Sequence, residues 1–205
     1  MWSKEHNGYE GLSNFAQRPF SLDDVLIARI VSEIPNPQIR SALTSYLREK
    51  GNAVTVNAVE NLFQAMKLFY SDKYVSNGKF NSEGQLLFEE ILNDIPESAK
   101  RKGGRYGRVK GLDEDSWNSE SKALMKVIAK YSFDANADAK NLLLSTGKRP
   151  ITHRQAPDRW KTDFPEVLMA IRSEYQRTQA NNENVASAKS IQATIAPYAK
   201  TEVTA

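Results

Sequence analysis

Glu60 is the carboxylate whose spacing from other polar residues first suggests chemistry. On a helix, Glu60, Gln64 and Lys67 would share one polar stripe, because residues three and four positions apart lie on the same face. A carboxylate of this kind suits glycosidic-bond cleavage, in which acids and bases meet a developing positive charge. The alternative is structural: Glu60 stands three residues after Asn57, as in a capping box, and the stripe is then a solvated face. Spacing alone favours the structural interpretation.

Three further residues have both a structural and a functional interpretation. Trp117 stands at an apolar position in the first turn of a helix, which is typical of a core residue, but its indole could also form a flat wall for a nucleobase. Asp158 lies in an irregular segment, where an aspartate usually forms a turn, although such loops also hold catalytic groups. For His153 the sequence favours a hydrogen-bonded structural role over a role in a site.

Positive charge is concentrated in Lys100–Gly111, hereafter the basic segment, which holds six basic residues and no acidic one. The whole chain has a formal net charge of +3, which leaves 22 basic and 25 acidic residues elsewhere. This asymmetry indicates an anionic ligand at one place. A solvated loop is the default interpretation, but the glycines would let backbone N–H groups approach a phosphate, and the arginines could clamp it. The segment is also similar to arginine–glycine segments that bind RNA.

The composition excludes several classes of protein. The 205 residues contain no cysteine, which excludes disulfides, thiolate nucleophiles and cysteine metal sites. Two histidines are too few for a histidine-rich metal centre, and no P-loop, dinucleotide or nucleophile-elbow motif occurs. The N-terminus lacks the apolar core of a signal peptide, and no apolar run is long enough to span a bilayer. We therefore expect a soluble cytoplasmic protein with no membrane partner.

Helix start and stop signals dominate the sequence. The Asn36-Pro37 pair predicts a capped helix that ends near Gly51, and a second helix is expected to open at Asn57. Further apolar-periodic segments follow, so we expect a mainly α (α+β) single domain with a small β element. Strand-like residues are limited to Val25–Val31 and Ala53–Val56, which would pair as a small sheet.

The expected domain spans residues 1–175, in which residues 33–52 form an insertion between the two predicted strands. The composition changes from about Gln176. Residues 176–205 are rich in Ala, Thr, Asn, Ser and Gln and poor in large apolar residues, which predicts a flexible or loosely helical C-terminal tail. A packed terminal helix is the alternative, and its buried residues would be Ile191, Ile195 and Tyr198.

A series of short motifs occurs in order along the chain. They are Leu12-Ser13-Asn14-Phe15, Pro19-Phe20, Val59-Glu60-x-x-Phe63-Gln64-Ala65-x-Lys67, Ala99-Lys100, Gly104-Arg105, Trp117 with Met125 and Lys130, Leu143-Leu144-x-Thr146-Gly147, Asp158 with Trp160, and Leu168-Met169-x-x-Arg172. Together they resemble the NADAR family, also called the YbiA-like family, over roughly Trp2 to Tyr175. The sequence departs from the family at Asn61, where many members have histidine.

The resemblance implies an N-glycosidase with a mostly helical fold. Members of the family are associated with NAD and ADP-ribose metabolism, with cleavage of phosphoribosyl-linked riboflavin precursors, and with removal of ADP-ribose from guanine in nucleic acid. Carried over to this chain, the candidate catalytic residues are Glu60 and Asp158. The candidate substrate-binding residues are Ser13, Asn14, Phe15, Gln64, Lys67, Arg105, Trp117 and His153. The expected partner is an ADP-ribosyl or phosphoribosyl N-glycoside, including ADP-ribosylated DNA or RNA, and no metal or redox cofactor is needed.

Two hypotheses without catalysis compete with this one. The first is an ADP-ribose or nucleic-acid binding module that uses Lys100–Lys110 and nearby aromatic residues, and it predicts salt-sensitive binding without product release. The second is an interaction or regulatory protein whose tail docks a partner. Deleting residues 176–205 would abolish function under the second hypothesis, whereas it would leave hydrolysis intact in an enzyme.

Overall fold

A computed structural model describes residues 8–50, 54–104, 106–153 and 159–195 of the chain. In these ranges the fold is the expected mainly α (α+β) domain, with eight α-helices and two small antiparallel sheets. The helices are α1 (Asp24–Ser32), α2 (Pro37–Lys50), α3 (Val59–Met66), α4 (Ser82–Leu92), α5 (Pro96–Gly103), α6 (Glu114–Ala135), α7 (Ala137–Ser145) and α8 (Trp160–Ile195). The strands are β1 (Phe20–Ser21), β2 (Thr55–Val56), β3 (Val75–Ser76) and β4 (Lys79–Phe80).

Both sheets consist of two short strands. β1 pairs with β2, with Phe20 opposite Val56, and β3 pairs with β4 in a hairpin. The hairpin turn is Asn77-Gly78, and both residues have positive φ angles, 51° and 69°. Asparagine followed by glycine favours this turn because both residues tolerate the left-handed conformation. The short strands therefore connect helices and do not form a separate layer.

Helix α1 replaces the strand predicted over Val25–Val31, so that prediction is wrong. Asp23 caps the helix, since its Oδ1 accepts a hydrogen bond from the backbone N of Leu26 at 2.9 Å. Leu26, Ile27 and Ile30 are buried on one face, whereas a strand would turn successive residues to opposite faces. The cap and this burial outweigh the strand preference of β-branched residues. β2 consequently pairs with β1.

Helix α2 confirms the helix predicted after Asn36. The Oδ1 atom of Asn36 accepts a hydrogen bond from the backbone N of Gln38 at 2.9 Å, and the helix starts at a proline. Its buried residues, including Leu43 and Tyr46, belong to the hydrophobic core. The segment expected to be an insertion therefore contributes to the core. The predicted stop at Gly51 lies outside the described residues.

Helix α3 lies at the centre of the domain, packed against α4, α5 and α6. All eight of its residues are buried. A helix with no solvated face is unusual outside the centre of a helical domain. Any polar side chain on α3 must therefore find its partners inside the protein.

Helix α8 runs without a break past the domain boundary predicted at residue 175. Its first half packs through buried residues that include Phe164, Leu168 and Ile171, whereas residues 177–187 are all exposed. The side chains of Ile191 and Ile195 and residue Tyr198 lie outside the described part of the chain. Within the described ranges, no helix combines the length and apolar character needed to cross a membrane.

Candidate active site

Three polar side chains of α3 point into the protein. Glu60, Asn61 and Gln64 are 2%, 0% and 5% exposed, respectively. The solvated face predicted for the stripe of Glu60, Gln64 and Lys67 is therefore wrong for Glu60 and Gln64, because neighbouring helices cover this side of α3. Burial of an ionisable group costs free energy unless hydrogen bonds or opposite charges compensate it. The surroundings of Glu60 consequently decide what its carboxylate can do.

The capping role predicted for Glu60 is also wrong. The N-cap of α3 is Ala58, and no side chain in the described part of the chain caps the helix there. The backbone N of Glu60 donates instead to the carbonyl oxygen of Asn14 at 2.9 Å. The carbonyl oxygen of Asn14 thus accepts a hydrogen bond from one of the N–H groups that have no partner within the helix at its start. The carboxylate of Glu60 is not used for this purpose.

Two amides hold the Glu60 carboxylate. Gln64 Nε2 donates to Oε1 at 2.8 Å, and Asn14 Nδ2 donates to Oε2. Asn14 therefore contacts Glu60 through both its backbone carbonyl and its side chain. The structure brings together three of the residues that the sequence analysis selected, and it fixes the carboxylate at both oxygens.

Burial raises the pKa of Glu60 above its ordinary value of 4.5. The hydrogen bond from Gln64 and the positive charges of Lys100 and Lys67 lower this pKa, and so does the hydrogen bond from Asn14, but burial outweighs them. A carboxyl group with a raised pKa exchanges protons more readily near neutral pH than an exposed glutamate does. This property is typical of catalytic carboxylates.

The raised pKa gives a prediction about stability. A buried carboxyl whose pKa is higher in the folded protein stabilises the fold below its unfolded-state pKa, and this contribution is lost as the pH rises through the folded pKa. We expect Glu60→Gln to gain stability over the wild type from about pH 4.5 upward, by about 1.4 kcal/mol per pH unit until the folded pKa is passed. Urea unfolding of both proteins over a pH series measures the difference.

The matched control for this prediction is Glu97→Gln, which removes an exposed carboxylate in the first turn of α5. Its unfolding free energy is expected to stay close to that of the wild type at every pH, because surface substitutions of this kind have small effects. If the difference between Glu60→Gln and the wild type were independent of pH, the pKa of Glu60 would not be raised.

Two lysines from different elements bring positive charge to Glu60. Lys67 follows α3 directly, and its Nζ donates to the carbonyl oxygen of Gly103 at 2.8 Å. Lys100 lies on α5, with its Nζ 5.2 Å from the centre of the Phe15 ring. An ionised Glu60 neutralises only one of the two lysines, so the cluster retains positive charge. An anionic group beside the carboxylate would therefore be bound favourably.

Gly103 allows α5 to approach α3 closely at this point. A Cβ atom at Gly103 would lie 2.4 Å from Oε1 and 2.7 Å from the Cβ of Gln64. Real Cβ atoms do not make such contacts, so only glycine fits without movement of the neighbouring side chain. Because Gly103 has no side chain, the Gln64 amide has room to reach Glu60.

For a substrate that reacts at Glu60, we expect Gly103→Ala to lower kcat/KM by about tenfold to thirtyfold, because the methyl group must displace Gln64 from Glu60 at a cost of about 2 kcal/mol. The measurement is steady-state kinetics together with thermal unfolding. Gly11→Ala is the control, since its Cβ would meet only the end of the Leu142 side chain, at 3.1 Å. Unchanged kinetics in Gly103→Ala would show that the Gln64 amide does not act on Glu60.

An aromatic cluster lies beside the lysines. Trp117 is a buried core residue, and its ring lies 4.9 Å from that of Phe63, 5.2 Å from that of Tyr70 and 5.6 Å from Lys67 Nζ. Trp160 also packs against Phe63, with the two ring centres 5.1 Å apart. The indole faces these protein groups, in agreement with the core interpretation. Its use as a wall for a base stays a prediction.

The remaining described candidates are Ser13, Phe15 and His153. Ser13 shapes the loop that carries Asn14, since its Oγ accepts a hydrogen bond from the backbone N of Phe15 at 3.1 Å. Phe15 lies next to Lys100 and is half-buried. His153 packs edge-on against Phe164 of α8 at 6.1 Å, and both its hydrogen-bonded structural role and its role in substrate binding stay predictions.

Arg105 and Asp158 lie outside the described residues, so their predicted roles stay predictions. Arg159 directly follows Asp158, and it is bound to α6. Its Nη1 donates to the carbonyl oxygen of Asn118 at 2.7 Å, and its Nη2 donates to Ser121 Oγ at 3.0 Å. The side chain of Arg159, the residue after Asp158, is therefore hydrogen-bonded to the helix that carries Trp117.

Asn61 has a structural role and no contact with the carboxylate of Glu60 among its described hydrogen bonds. Its Nδ2 donates to the carbonyl oxygens of Ile91 and Asp94 at 2.9 and 2.8 Å, and more weakly to that of Leu92 at 3.4 Å. These carbonyls lie in the last turn of α4 and just after it, where a helix end leaves carbonyl groups without a full set of intrahelical partners. The departure from the family at this position therefore bears on the packing of α3 against α4.

Neither Lys100 nor Gly103 is among the site residues predicted from the sequence. Lys100 belongs to one of the quoted motifs, but it was grouped with the basic segment. The signal that could have separated it is helical spacing: on a helix that begins at Pro96, Lys100 and Gly103 are three residues apart and share a face. Only the packing of α5 on α3 shows that this face meets Glu60.

The site geometry defines a class of protein: a mainly helical domain that buries one carboxylate between two amides and two lysines. Among the described residues, no group of three or more His, Asp and Glu side chains is placed to hold a metal ion. The NADAR domain family matches residues 1–185 of the 205 in the chain. The chain belongs to this family, which confirms the resemblance. Comparisons with curated proteins and with solved structures return no match.

Proposed function

We propose that the protein is an N-glycosidase that hydrolyses the ribosyl C–N bond of an ADP-ribosyl or phosphoribosyl substrate. Membership of the NADAR domain family supports hydrolysis at a glycosyl bond. The observation that carries the proposal is the Glu60 carboxylate, which is 2% exposed and held at both oxygens by amides beside two lysines. A purely structural role would not explain an ionisable group buried at the centre of the domain.

The reaction separates the base nitrogen from C1′ of the ribose. The bonding electron pair leaves with the nitrogen, and positive charge develops on the ribose ring. An ionised Glu60 stabilises this charge and either attacks C1′, forming an ester that water then hydrolyses, or takes a proton from the water that attacks C1′. In both cases water supplies the hydroxyl group on C1′, and its proton ends on the base nitrogen that has left. The hydrogen bonds from Asn14 and Gln64 fix the carboxylate in place, so little reorganisation is needed in the transition state.

Phosphate groups of the substrate would bind to the lysines. Lys67 is fixed by Gly103, and Lys100 extends from α5 beside Phe15. Arg105 would add a guanidinium that can bind two phosphate oxygens at once. The binding energy of the phosphates is then used to position C1′ against Glu60. Asp158 would orient Glu60 or the ribose hydroxyls, and Trp117 would support the base or the ribose.

Substrates with this chemistry include ADP-ribose attached to guanine in nucleic acid, NAD-derived ADP-ribosyl compounds and phosphoribosyl-linked riboflavin precursors. All three combine an N-glycosidic bond with phosphate. Removal of ADP-ribose from guanine agrees best with the positive charge that continues from Lys100 along the chain into the basic segment.

Incubation with a panel of N-ribosyl compounds tests the proposal. The panel contains ADP-ribosylated guanosine, an ADP-ribosylated oligonucleotide, NAD and a phosphoribosyl-linked riboflavin precursor. Chromatography is expected to show a released base and the matching sugar phosphate for at least one of them. Salt-sensitive binding of these compounds without any released product would favour the non-catalytic binding module instead.

A further inference from the structure

Arg18 is a buried cation that the proposed mechanism does not use. The residue is only 5% exposed, and burial lowers the pKa of its guanidinium to about 10, so it stays charged at neutral pH. No carboxylate in the described part of the chain pairs with it, and burial alone accounts for the change in its pKa. A charge buried without an opposite charge costs free energy. An apolar side chain would fill the same space at lower cost, so the hydrogen bonds of Arg18 are what distinguish it.

The guanidinium of Arg18 joins two distant parts of the chain. Nη1 donates to the carbonyl oxygen of Gly11, and Nε donates to Ser132 Oγ of α6 at 3.2 Å. Its Cζ lies 4.5 Å from the centre of the Phe133 ring, in a cation–π contact. Nη2 is buried without a hydrogen-bond partner in the described structure. The side chain therefore exchanges the solvation of a charge for three contacts that attach Gly11 to α6.

These contacts close the loop that carries Asn14. Residues 11–18, hereafter the Asn14 loop, begin and end at the two residues that the guanidinium hydrogen bond joins. The backbone N of Arg18 also donates to the carbonyl oxygen of Asn57 at 3.0 Å, two residues before α3 begins. Asn14 contacts Glu60 through its backbone carbonyl and its side-chain amide. The loop is thereby attached to the start of α3 at two points and to α6 at one.

The hydrogen bond from Asn14 to the carboxylate depends on how this loop is held. Gln64 reaches Glu60 from one turn away on the same helix, so the helix itself fixes their distance. Asn14 instead lies 46 residues from Glu60 in the chain. Residues 13–17 are half-buried or exposed, so their packing alone does not fix the loop. Arg18 is the buried group that binds both ends of it.

We propose that Arg18 is a positioning residue for the reaction at Glu60. Its guanidinium closes the Asn14 loop against α6 and so holds the Asn14 amide at the carboxylate. A hydrogen bond from an amide stabilises an ionised carboxylate, so a loosened loop would leave Glu60 harder to ionise and less precisely placed. The catalytic consequence rests on the proposed function, whereas the effect of Arg18 on the Glu60 carboxylate does not.

NMR titration of the full chain, labelled with ¹³C at the carboxyl carbons of glutamate, tests the inference without a substrate. The Glu60 signal is the one that Glu60→Gln lacks. Arg18→Met keeps a long side chain and removes the guanidinium, and it is expected to raise the pKa of Glu60, because the hydrogen bond from Asn14 lowers it. Lys67 and Lys100, whose charges also act on Glu60, lie outside the Asn14 loop. In an Asn14→Ala background, Arg18→Met is expected to cause no further rise, since the contact is already lost.

Arg172→Met is the matched control. Arg172 is also a buried arginine, 6% exposed, and it joins α8 to the end of α7. Its Nη1 donates to Thr146 Oγ1 at 2.7 Å and to the carbonyl oxygen of Arg149 at 2.8 Å. Any loss of stability from removing a buried guanidinium and its hydrogen bonds is therefore common to both variants. Only Arg18→Met is expected to change the titration of Glu60.

Ser132→Ala is a milder variant, which decides the question if Arg18→Met does not fold. It removes one acceptor of the guanidinium and leaves the charge in place, so the pKa of Glu60 is expected to rise by less. The inference is overturned by an unchanged pKa of Glu60 in every folded variant of this pair. It is also overturned by an equal rise in Arg172→Met, or by a rise that persists undiminished in the Asn14→Ala background.

Kinetics separate this inference from the proposed function. For a substrate that the wild type hydrolyses, Arg18→Met is expected to lower kcat about tenfold to a hundredfold with KM close to the wild-type value, because the lysines that would bind phosphate are kept. The acid limb of the kcat/KM profile is expected to move to higher pH, since ionised Glu60 is the active form. A loss confined to KM would contradict a positioning role. Hydrolysis of no compound by the wild type would overturn the proposed function, and the NMR titration would still decide the role of Arg18.

Discussion

Glu60→Gln is expected to lower kcat/KM of the proposed N-glycosidase by about a thousandfold. The substitution keeps the shape of the side chain and removes the charge that stabilises the ribosyl cation and accepts a proton from water, and such groups contribute about 10²- to 10⁴-fold. Chromatographic measurement of released base under single-turnover conditions tests this, with substrate chosen from the panel that the wild type hydrolyses.

The fold should accept this substitution. The two side chains that hold the carboxylate, Asn14 and Gln64, are both amides, and an amide can rotate to present its oxygen to the new amide group. Gln64 Oε1 is buried without a hydrogen-bond partner in the described structure, so rotation would also give it one. Glu97→Gln again serves as the control and should retain full activity. Near-normal hydrolysis by Glu60→Gln would contradict the assignment of the catalytic carboxylate.

Local signals in the sequence were sufficient where a helix is specified by its own ends. α2 begins at an asparagine cap followed by proline, and both the cap and the buried face occur as predicted. α6 likewise begins at an aspartate cap, since Asp113 Oδ1 accepts a hydrogen bond from the backbone N of Ser116. The ends of helices depend on a few hydrogen bonds that neighbouring polar residues can supply equally well.

Predictions failed where packing between distant segments decides the structure. The residues of α1 have strand propensity, yet the core selects the helix because it buries three of them on one face. The polar stripe of α3 resembles a surface helix, and only the arrangement of α4, α5 and α6 around it shows that it is buried. Periodicity states which residues share a face but not what covers that face.

The same distinction separates the residues of the site. Glu60 and Gln64 can be related from sequence, since they lie one helical turn apart, but Asn14 reaches Glu60 from 46 residues away. The resemblance to the family supplied Asn14, which spacing alone could not connect, whereas helical spacing already relates Lys67 to Glu60. Lys100 and Gly103 required the contact between α3 and α5. A buried carboxylate is thus recognised by its surroundings, and those come from several distant parts of the chain.

The second large effect is expected at the residue next to the catalytic candidate. Asn61→Leu should lower the free energy of unfolding by about 3 kcal/mol, because the carbonyls of Ile91 and Asp94 lose the Asn61 amide donor and two methyl groups must fit where the smaller amide was buried. For a chain of this size, that corresponds to a fall in Tm of about 6–12 °C. Thermal and urea unfolding measure the loss.

Asn93→Leu provides a matched control for this experiment. Asn93 also donates to a carbonyl of α4, that of Glu89 at 2.9 Å, but the bond is exposed, and water can replace the lost donor. Its expected cost is below about 1 kcal/mol. The folded fraction of Asn61→Leu should hydrolyse substrate at the wild-type rate, since Asn61 supports the end of α4 and does not touch the Glu60 carboxylate. Lost activity with an unchanged Tm would instead show that Asn61 takes part in the reaction. The replacement of the histidine found in many family members by Asn61 would then change the chemistry of the site.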